Sequence, residues 1–489
     1  MSFNHRIILK IVSVTILFEG IAMLIPMGFA VYFMELSAAS SLFFIAITCI
    51  AFGATIFTQM KYYTLNLKTR EGFFIAFVVW LLVSIIGSLP FYYADCGYSF
   101  IDCFFESVAG WTTTGCYVID IDVMPKSLVV WKCLCHWLGG MGILILTVSL
   151  FPVLGIGGQK VAAAEIPGPK IEKVSTRIAD TAKAFYKLYV IFTLIELVLL
   201  KLSGMSFYDA LINTLCTIST AGICPNAGGI LSYMTPYVKT IICIFSVFAS
   251  MNFMIFFMLL DGNWKKVLKN VELRAFFGII LGVTIVIATI LLVTGTYTSF
   301  GSAISDSLMQ TISFSSTSGF HVVDYNIWPT SCKMLLLMLM FIGGCSASTS
   351  GSLKTIRFVV MVKLTFRGIY KRIHPHSIKP IMLDNRPVSP ESAASITVFV
   401  LLFFAIYVFS CVVLSLNNLD METTLSAAIS AFSNTGSGFG IIGTNGDFSA
   451  FSELSRLYCS ILMLAGRLEM YAIVIMLSRS YWNSDRARS

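Results

Sequence analysis

One short glycine-containing turn occurs four times in this chain, and this repetition constrains the fold more than any other feature. Each turn follows a short amphipathic segment and precedes a long apolar run, and successive glycines lie about 100 residues apart. The turns are Thr112, Thr113, Thr114 and Gly115; Ser219, Thr220, Ala221 and Gly222; Ser316, Thr317, Ser318 and Gly319; and Ser433, Asn434, Thr435 and Gly436. A regular period of this kind predicts a fold built from four equivalent units.

The apolar runs around the turns indicate a membrane environment. Hydrophobic residues make up 57% of the sequence and charged residues only 12%, against roughly 25% charged residues in soluble domains. Many runs reach the roughly 20 apolar residues that a membrane-spanning helix requires. We therefore predict an all-α polytopic membrane protein. Most Lys and Arg residues behind the net charge of +8 lie in alternate loops, as the positive-inside rule requires, so nucleic-acid binding is not predicted.

The spacing of the apolar runs divides the chain into an N-terminal transmembrane helix pair and four units. Each unit has an outgoing helix, a half-length segment, the glycine turn and a returning helix. The predicted bounds are 1–70 for the helix pair and 71–155, 156–262, 263–394 and 395–489 for repeats 1 to 4. The returning helices are predicted at about 127–150, 236–260, 331–350 and 453–478, and repeat 3 also includes a cytoplasmic linker.

Each half-length segment carries an acidic residue near its start. Asp102, Asp209 and Asp306 lie thirteen positions before their glycines, and Glu422 lies fourteen before its own. An acid in the first turn favours a helix through the helix dipole. Because the segments are too short to cross a bilayer, we interpret them as re-entrant pore helices. A surface amphipathic helix is the alternative, and the fourfold recurrence before the same turn argues against it.

The distribution of basic residues predicts the orientation of the units. The linker 61–71, the linkers after the returning helices and the C-terminus are rich in Lys and Arg, whereas the stretches that hold the turns carry few. Basic loops mark the cytoplasmic side, so both chain ends are predicted inside and all four turns outside. Each unit crosses the membrane twice. The units therefore share one orientation and are predicted to surround a central pore along the membrane normal.

The chemistry of the turns suits a dehydrated alkali cation. Such an ion needs oxygen ligands in place of its water shell, and rings of backbone carbonyls provide them in potassium channels. Glycine permits the unusual backbone angles that point successive carbonyls inward, and the Thr and Ser hydroxyls can anchor the irregular backbone. The pore helices would direct their negative C-terminal ends at the ion. We therefore predict that the sixteen turn residues form one ion-selecting ring.

The third returning helix contains a run of nine small or flexible residues. The run extends over 343–351 and comprises Gly343, Gly344, Cys345, Ser346, Ala347, Ser348, Thr349, Ser350 and Gly351. It is expected to interrupt the helix, and at membrane depth it would form a polar loop beneath the filter. We interpret it as a gate. Close helix packing through small residues is the alternative.

The fourth returning helix carries Arg467 near its middle. An intramembrane arginine is costly and normally faces a pore or an interior partner. Arg467 could impose an electrostatic barrier below the filter or tie down the gate loop. An ion pair with Glu469 that holds helices together is a third interpretation, compatible with the other two.

The remaining residues show no pattern typical of enzymes or cofactor sites. The thirteen cysteines include no CxxC spacing, so neither a zinc site nor a disulfide framework is indicated. Cys116 and Cys224 lie just after two of the turns, where we expect passive packing, although their sulfurs could also tune the pore mouth. Because HExxH, GxSxG and P-loop patterns are missing from the sequence, we predict no enzyme activity and no organic cofactor on this chain.

Three further segments combine with the four turns into a specific pattern. They are His136–Gly142 (HWLGGMG), Gly343–Gly351 (GGCSASTSG) followed by Lys354 and Arg357, and Ala465–Glu469 (AGRLE). This combination covers nearly the whole chain and resembles the TrkH/TrkG/KtrB superfamily of bacterial potassium-translocating subunits, and the N-terminal helix pair favours the TrkH branch. One departure from the family pattern is Ser437, where many members carry proline.

The resemblance implies that the sixteen turn residues bind K⁺ as the transported ion, and that the intramembrane loop and Arg467 restrict its flow. It implies a homodimer in the lipid of a bacterial inner membrane, with one pore per chain. It also implies a cytosolic nucleotide-binding ring of the TrkA type as regulatory partner. Na⁺ or mixed conduction and cation-coupled K⁺ transport are the alternatives within this class. A polytopic membrane enzyme is disfavoured because acids, bases and metal ligands are scarce at membrane depth.

Overall fold

The computed structural model describes residues 5–60, 69–94, 97–121, 123–142, 178–222, 235–377, 380–384, 386–444 and 446–482. The described residues are mostly helical, as predicted. The N-terminal pair consists of α1 (His5–Ala22) with its continuation α2 (Leu24–Tyr32), and α3 (Leu36–Gln59). Repeat 1 contains α4 (Thr69–Tyr93), α5 (Phe100–Trp111) and α6 (Lys126–Gly140). Repeat 2 contains α7 (Ile178–Leu202), α8 (Phe207–Ser219), α9 (Pro236–Ser250) and α10 (Phe253–Leu260).

Repeats 3 and 4 follow the same order of elements. Repeat 3 contains α11 (Trp264–Lys269), α12 (Val271–Val293), α13 (Phe300–Ser315), α14 (Thr330–Ile342) and α15 (Thr355–Ile373), followed by the antiparallel pair β1 (Met382–Leu383) and β2 (Arg386–Pro387). Repeat 4 contains α16 (Pro390–Ser415), α17 (Met421–Ser433), α18 (Glu453–Arg467), α19 (Tyr471–Leu477) and α20 (Arg479–Trp482). Short 3₁₀ turns lie at Tyr325–Ile327 and Gly440–Ile442.

Several of these helices are suited to cross a membrane. Within the described ranges, five spans are long and apolar enough, and counting α9 with α10 adds a sixth. The five are His5–Tyr32, Leu36–Gln59, Glu71–Tyr93, Val271–Val293 and Pro390–Ser415. Apolar side chains of α16 such as Leu401, Val408 and Val412 point away from the protein, as lipid-facing residues do. The chain is therefore a multi-pass membrane protein.

The half-length helices α5, α8, α13 and α17 are the predicted pore helices, with 12, 13, 16 and 13 residues. At about 1.5 Å per residue they are shorter than the roughly 30 Å hydrocarbon core. Two of them begin with a serine cap that explains the acid after it. Ser99 Oγ accepts the amide of Asp102 at 3.3 Å and the Asp102 carboxylate accepts the Ser99 amide at 3.2 Å. In α8, Ser206 Oγ likewise accepts the amide of Asp209, at 3.0 Å.

In the other two pore helices, the predicted acid does not cap the helix, although Glu422 lies in the first turn of α17 as predicted. Asp306 lies in the second turn of α13 and pairs with Lys239 of α9. In α17 the cap is Asp420, which accepts the Thr423 amide at 2.9 Å, while Glu422 points to another repeat. Hydrogen bonds from Thr423 hold the pKa of the Asp420 carboxyl below its ordinary value. The predicted dipole role was therefore wrong for Asp306, because α13 begins at Phe300 and this residue lies beyond the first turn of the helix.

Ion pairs between repeats close the four units into a ring. Three pairs of the described residues join a returning helix to the pore helix of the next repeat: Lys239–Asp306 (α9 to α13), Lys333–Glu422 (α14 to α17, 2.7 Å) and Arg456–Asp102 (α18 to α5, 3.0 Å). The last pair connects repeat 4 back to repeat 1. The predicted fold class is thus confirmed, with four pseudo-symmetric repeats around a central axis and an N-terminal helix pair packed outside.

The returning helices stop or bend below the glycine turns. The predicted interruption of the third helix is present, since α14 ends at Ile342 and α15 begins at Thr355. The second helix was predicted as continuous, but α9 and α10 meet at 95° after Ser250, where Asn252 caps α10 by accepting the Met254 amide at 2.9 Å. The fourth ends at Arg467 rather than near 478. The first is described to Gly140, and the remainder of its predicted range lies largely outside the described residues.

Candidate functional site

The four glycine turns share one backbone conformation. The second residue of each turn is left-handed with φ of 57°, and these residues are Thr113, Thr220, Thr317 and Asn434. The glycines also have positive φ, of 81°, 53°, 71° and 84° in chain order. A positive φ is rare for a β-branched residue and costs of order 1–3 kcal/mol, so the surrounding structure must hold three threonines in this conformation. Sequence reasoning anticipated the glycines but missed the strained threonines.

Hydrogen bonds inside each turn hold this strained backbone. The amide of the third residue donates to the carbonyl five positions earlier at 3.0, 2.9, 3.0 and 3.0 Å in the four turns. The hydroxyls of the first and third residues bind each other in repeats 1, 3 and 4, at 2.7, 3.0 and 2.6 Å. Ala221 takes the third position in repeat 2 and has no hydroxyl. These hydroxyls therefore anchor the turn, as predicted for its Thr and Ser residues.

The four turns meet around one axis. A Cβ atom added to Gly115 would overlap the carbonyl oxygen of Ala221 in repeat 2. The same relation joins Gly222 to Ser318, Gly319 to Thr435 and Gly436 to Thr114. Each glycine thus packs against the peptide carbonyl that precedes the glycine of the next repeat, and the fourth contact returns to the first repeat. The structure brings all sixteen predicted turn residues into this closed ring.

The fourth turn keeps the common geometry despite its different sequence. Asn434 takes the position held by threonine in the other repeats, and its Nδ2 donates to Thr114 Oγ1 and to the Met463 carbonyl, both at 2.9 Å. Asparagine tolerates the left-handed conformation more easily than threonine. Ser437, the departure from the family pattern, follows Gly436 and donates through Oγ to the Gly319 carbonyl at 2.5 Å.

The predicted gate loop lies directly against these turns. The Gly351 amide donates to Thr317 Oγ1 at 2.8 Å, and a Cβ at Gly351 would overlap the carbonyl oxygen of Ser433. The loop also bonds to the bend after α9. The Cys345 amide donates to the Ser250 carbonyl at 2.9 Å, and the Thr349 amide donates to the Ala249 carbonyl at 3.2 Å. The carbonyls that the end of α9 leaves without helical partners are in this way satisfied by the loop.

Arg467 connects the gate loop to repeat 1. Its guanidinium donates to the Thr349 carbonyl at 2.8 Å and to the carbonyls of Gly139 and Gly140 at 2.5 and 2.7 Å. Of the interpretations offered for this residue, the tie to the loop is thus present in the structure. The carboxylate of Glu469 pairs with Arg357 of α15 at 2.6 Å, so that acid joins helices through a different arginine.

A second anchor of the gate loop was not predicted from the sequence. The carboxylate of Glu272, at the start of α12, accepts the Ser346 amide at 2.6 Å and the Ser346 hydroxyl at 2.8 Å. Glu272 is buried. The adjacent Val271 amide donates to Asp384 in the β1–β2 turn at 2.8 Å. The acid at the start of an apolar helix was the available signal, but nothing in the sequence identifies a partner 74 residues away.

A cavity of about 60 Å³ lies beneath the gate loop. Its lining includes Lys354, Arg467 and Glu469 together with Ser348 and Ser350 of the loop. Lys354 is buried and donates through Nζ to the Ser350 carbonyl. Polar side chains within a mostly apolar lining, together with this volume, allow the cavity to hold a few water molecules. Three basic side chains and the Glu469 carboxylate therefore lie at this cavity or next to it, counting Arg357, which pairs with Glu469.

A buried ion pair supports the first turn from behind. Lys132 of α6 and Glu106 of α5 are almost fully inaccessible and in direct contact. The Glu106 carboxylate also accepts the amides of Val118 and Ile119 at 2.6 and 2.8 Å, and Lys132 donates to the Cys116 carbonyl at 3.2 Å. An ion pair that is buried away from water needs additional hydrogen bonds of this kind to compensate for its lost hydration. Sequence reasoning missed it because both residues lie within apolar runs.

Other chemistries find no support in the described part of the chain. There, no cluster of three His, Cys, Asp or Glu side chains is arranged to hold a metal ion. The eleven cysteines of the described ranges are free thiols, and Cys224 lies outside those ranges. Cys116 is buried beside the ring, with Sγ 3.5 Å from the Gly436 carbonyl oxygen.

The chain is similar to known proteins over nearly its whole length. Residues 39–485 match the TrkH family, described as cation transport proteins. The Trk system potassium uptake protein TrkH of Escherichia coli is 30% identical over 486 residues, which cover 98% of this chain and 99% of that protein. TrkG of the same organism is 30% identical over 490 residues, covering 99% and 100% of the two chains. The crystal structure of the potassium transporter TrkH from Vibrio parahaemolyticus superposes with a TM-score of 0.87 at 29% identity, covering 98% of this chain and all of that chain.

Proposed function

The chain belongs to the TrkH family of cation transport proteins, and on this premise we propose that it is the potassium-translocating subunit of a Trk-type K⁺ uptake system. The relatives that align with this chain over nearly their full length are named potassium uptake proteins. The observation that carries the proposal is the closed ring in which each turn glycine packs against a carbonyl of the next repeat. This ring offers backbone oxygens from four directions and no charged side chain.

The ring would select K⁺ by replacing its hydration shell with carbonyl oxygens. Two left-handed residues per turn change the direction of successive peptide units, and hydrogen bonds between the turns limit their movement. Selection by a carbonyl cage requires this restraint if the oxygens are not to collapse around a smaller ion. Na⁺ conduction is therefore the less favoured alternative.

The loop 343–351 would act as the gate below the filter, with Arg467 and Glu272 as its anchors. The loop contacts Thr317 of the proposed filter and also lines the cavity that contains Lys354 and Arg467. An ion leaving the filter would meet the loop and then the positive charge of Arg467. Release of the two anchors would let the loop withdraw.

The proposal includes the assembly that the family resemblance implies. The protein would lie in a bacterial inner membrane as a homodimer, with both termini in the cytoplasm. A TrkA-type cytosolic nucleotide-binding ring would regulate it. The exposed basic residues at the end of α15, among them Lys371 and Arg372, provide a surface of opposite charge for an acidic partner.

The proposal is tested by growth and flux. Expression in a bacterium without its own potassium uptake systems should restore growth at low K⁺, and purified protein in liposomes should carry ⁸⁶Rb⁺ in competition with K⁺ more than with Na⁺. Deletion of Ser346–Ser350 should raise basal flux because the loop no longer blocks the path. Reversal potentials under imposed Na⁺ and H⁺ gradients separate passive conduction from coupled transport. Absence of both rescue and ⁸⁶Rb⁺ flux, with the regulatory partner present, would refute the proposed function.

A further inference from the structure

The residue that follows each turn glycine differs among the four repeats. These residues are Cys116, Ile223, Phe320 and Ser437. Cysteine and serine can donate a hydrogen bond from the side chain, whereas isoleucine and phenylalanine cannot. The Ser437 hydroxyl donates to the Gly319 carbonyl at 2.5 Å. The Cys116 thiol lies 3.5 Å from the Gly436 carbonyl oxygen, within the range of a sulfur hydrogen bond.

The two contacts have the same position in the pseudo-symmetry. Each donor follows the glycine of its own repeat, and each acceptor is the glycine carbonyl of the preceding repeat. Ser437 thus joins repeat 4 to repeat 3, and Cys116 joins repeat 1 to repeat 4. At the other two joints the corresponding side chains are apolar. Repeat 4 is therefore hydrogen-bonded to both neighbours at this level, and Asn434 adds a bond to Thr114.

The acceptors are the last carbonyls of their turns, whereas the loop 343–351 contacts the earlier residues Thr317 and Ser433. Gly436 is partly exposed, as are Gly115 and Gly222, whereas Gly319 and the three residues before each glycine are buried. A carbonyl oxygen has two lone pairs, so a side-chain donor occupies one, fixes the direction of the bond and weakens the field that the oxygen offers to a cation. The hydroxyl contact is short and the thiol is a weak donor, so the effect should be larger at Gly319 than at Gly436.

From these contacts we propose that Ser437 and, more weakly, Cys116 are positioning residues that set the outermost carbonyls of the filter and thereby its discrimination between K⁺ and smaller cations. The inference rests on the proposed function, because it assumes that the ring selects ions. It makes the ring of glycine carbonyls unequal, because two of them accept a side-chain hydrogen bond while the equivalent residues at the other two joints, Ile223 and Phe320, have no side-chain donor. Loss of a donor lets the corresponding carbonyl turn and accommodate a smaller ion.

The test compares variants that remove the donor with variants that keep it. Ser437→Ala should lower the K⁺ over Na⁺ preference in ⁸⁶Rb⁺ competition by roughly two- to ten-fold, the range expected for one hydrogen bond. Cys116→Ala should lower it by less, and Cys116→Ser should match or exceed the parent because a hydroxyl donates better than a thiol. Ser437→Cys, with a weaker donor, should lie between the parent and Ser437→Ala.

The control is Ser449→Ala, which removes a hydroxyl from the same extracellular segment that bonds only locally to Asp447. A purely structural role for Ser437 would reduce the maximal flux of K⁺ and Na⁺ equally and leave their ratio unchanged. An unchanged ratio in Ser437→Ala that still carries K⁺ would overturn the inference. If Ser437→Ala is not produced as folded protein, an unchanged ratio in both Ser437→Cys and Cys116→Ala has the same consequence. Failure of the parent protein to carry K⁺ would instead refute the proposed function.

Discussion

Replacement of Arg467 by alanine tests the gate most directly, because the structure shows which bonds are lost. Arg467 holds one carbonyl on the loop, that of Thr349, and two on repeat 1, those of Gly139 and Gly140. Withdrawal of the loop must break the first bond. The other two join Arg467 to repeat 1 and need not change when the loop moves. Of the three bonds described, the Thr349 bond is therefore the one that enters the difference between the closed and the open loop.

The size of the effect follows from that single bond. A hydrogen bond to a charged group contributes about 1.5–3 kcal/mol, and about 1.4 kcal/mol changes an equilibrium tenfold. The ratio of open to closed loop should therefore rise roughly 10- to 150-fold in Arg467→Ala. Loss of the positive charge below the filter acts in the same direction.

The assay is ⁸⁶Rb⁺ flux into liposomes that contain the purified protein without any regulatory partner. Arg386→Ala, at an exposed position of strand β2, is the matched control and should conduct like the parent. Size-exclusion profiles of both variants show whether the fold is retained. If Arg467→Ala is folded and its initial flux stays within twofold of the parent, the tie between Arg467 and the loop does not restrain permeation, and the gating argument fails.

Three further variants test other parts of the site. Gly115→Ser should lower the preference for K⁺ over Na⁺ by roughly tenfold, because the added Cβ overlaps a carbonyl of the next repeat. The control is Gly97→Ser, at a glycine that also has a positive φ, of +79°, but has open space around it. An equal effect of the two substitutions would contradict the reasoning. Glu272→Gln should raise basal ⁸⁶Rb⁺ flux several-fold, because the amide group of glutamine lacks the negative charge and has only one oxygen that can accept from Ser346. Unchanged flux would show that Glu272 does not restrain the loop. Lys132→Met should destabilise the protein by about 3–5 kcal/mol, which is measured as a lower midpoint of thermal unfolding. Adding Glu106→Gln to this variant should recover much of the lost stability. An unshifted midpoint in Lys132→Met would show that the ion pair contributes little to stability.

The features that the sequence predicts well are those set by local chemistry and repetition. The turns, the pore helices and the break after Ile342 all follow from glycine, short amphipathic segments and small residues in the chain itself. The left-handed conformation of Thr113 could not be predicted, because the local preference of a β-branched residue opposes it and the packing of three other repeats imposes it. The bend after Ser250 is also tertiary in origin, since the gate loop supplies the partners that a continuous helix would otherwise provide.

Charged residues show even more clearly that the sequence does not identify tertiary partners. Arg467 could be identified as functional because an intramembrane cation needs a partner, but its three carbonyl acceptors come from distant segments. Asp306 and Asp102 occupy equivalent positions in sequence, yet only Asp102 takes part in a capping box, although both pair with a cation from the neighbouring repeat. Equivalent spacing therefore predicts equivalent backbone positions but not equivalent side-chain partners.

The contacts between loop and filter imply that permeation rate and ion selection are not independent in this fold. The Gly351 amide holds the hydroxyl of Thr317, which is one of the strained residues of the third turn. The same glycine lies against the Ser433 carbonyl at the base of the fourth turn. A loop that withdraws must release the first contact and relieve the second, and a residue held at φ of 57° by its surroundings can relax when one of its restraints is lost. Opening of the proposed gate would therefore loosen the proposed filter at repeats 3 and 4, the joint at which Ser437 donates to the Gly319 carbonyl.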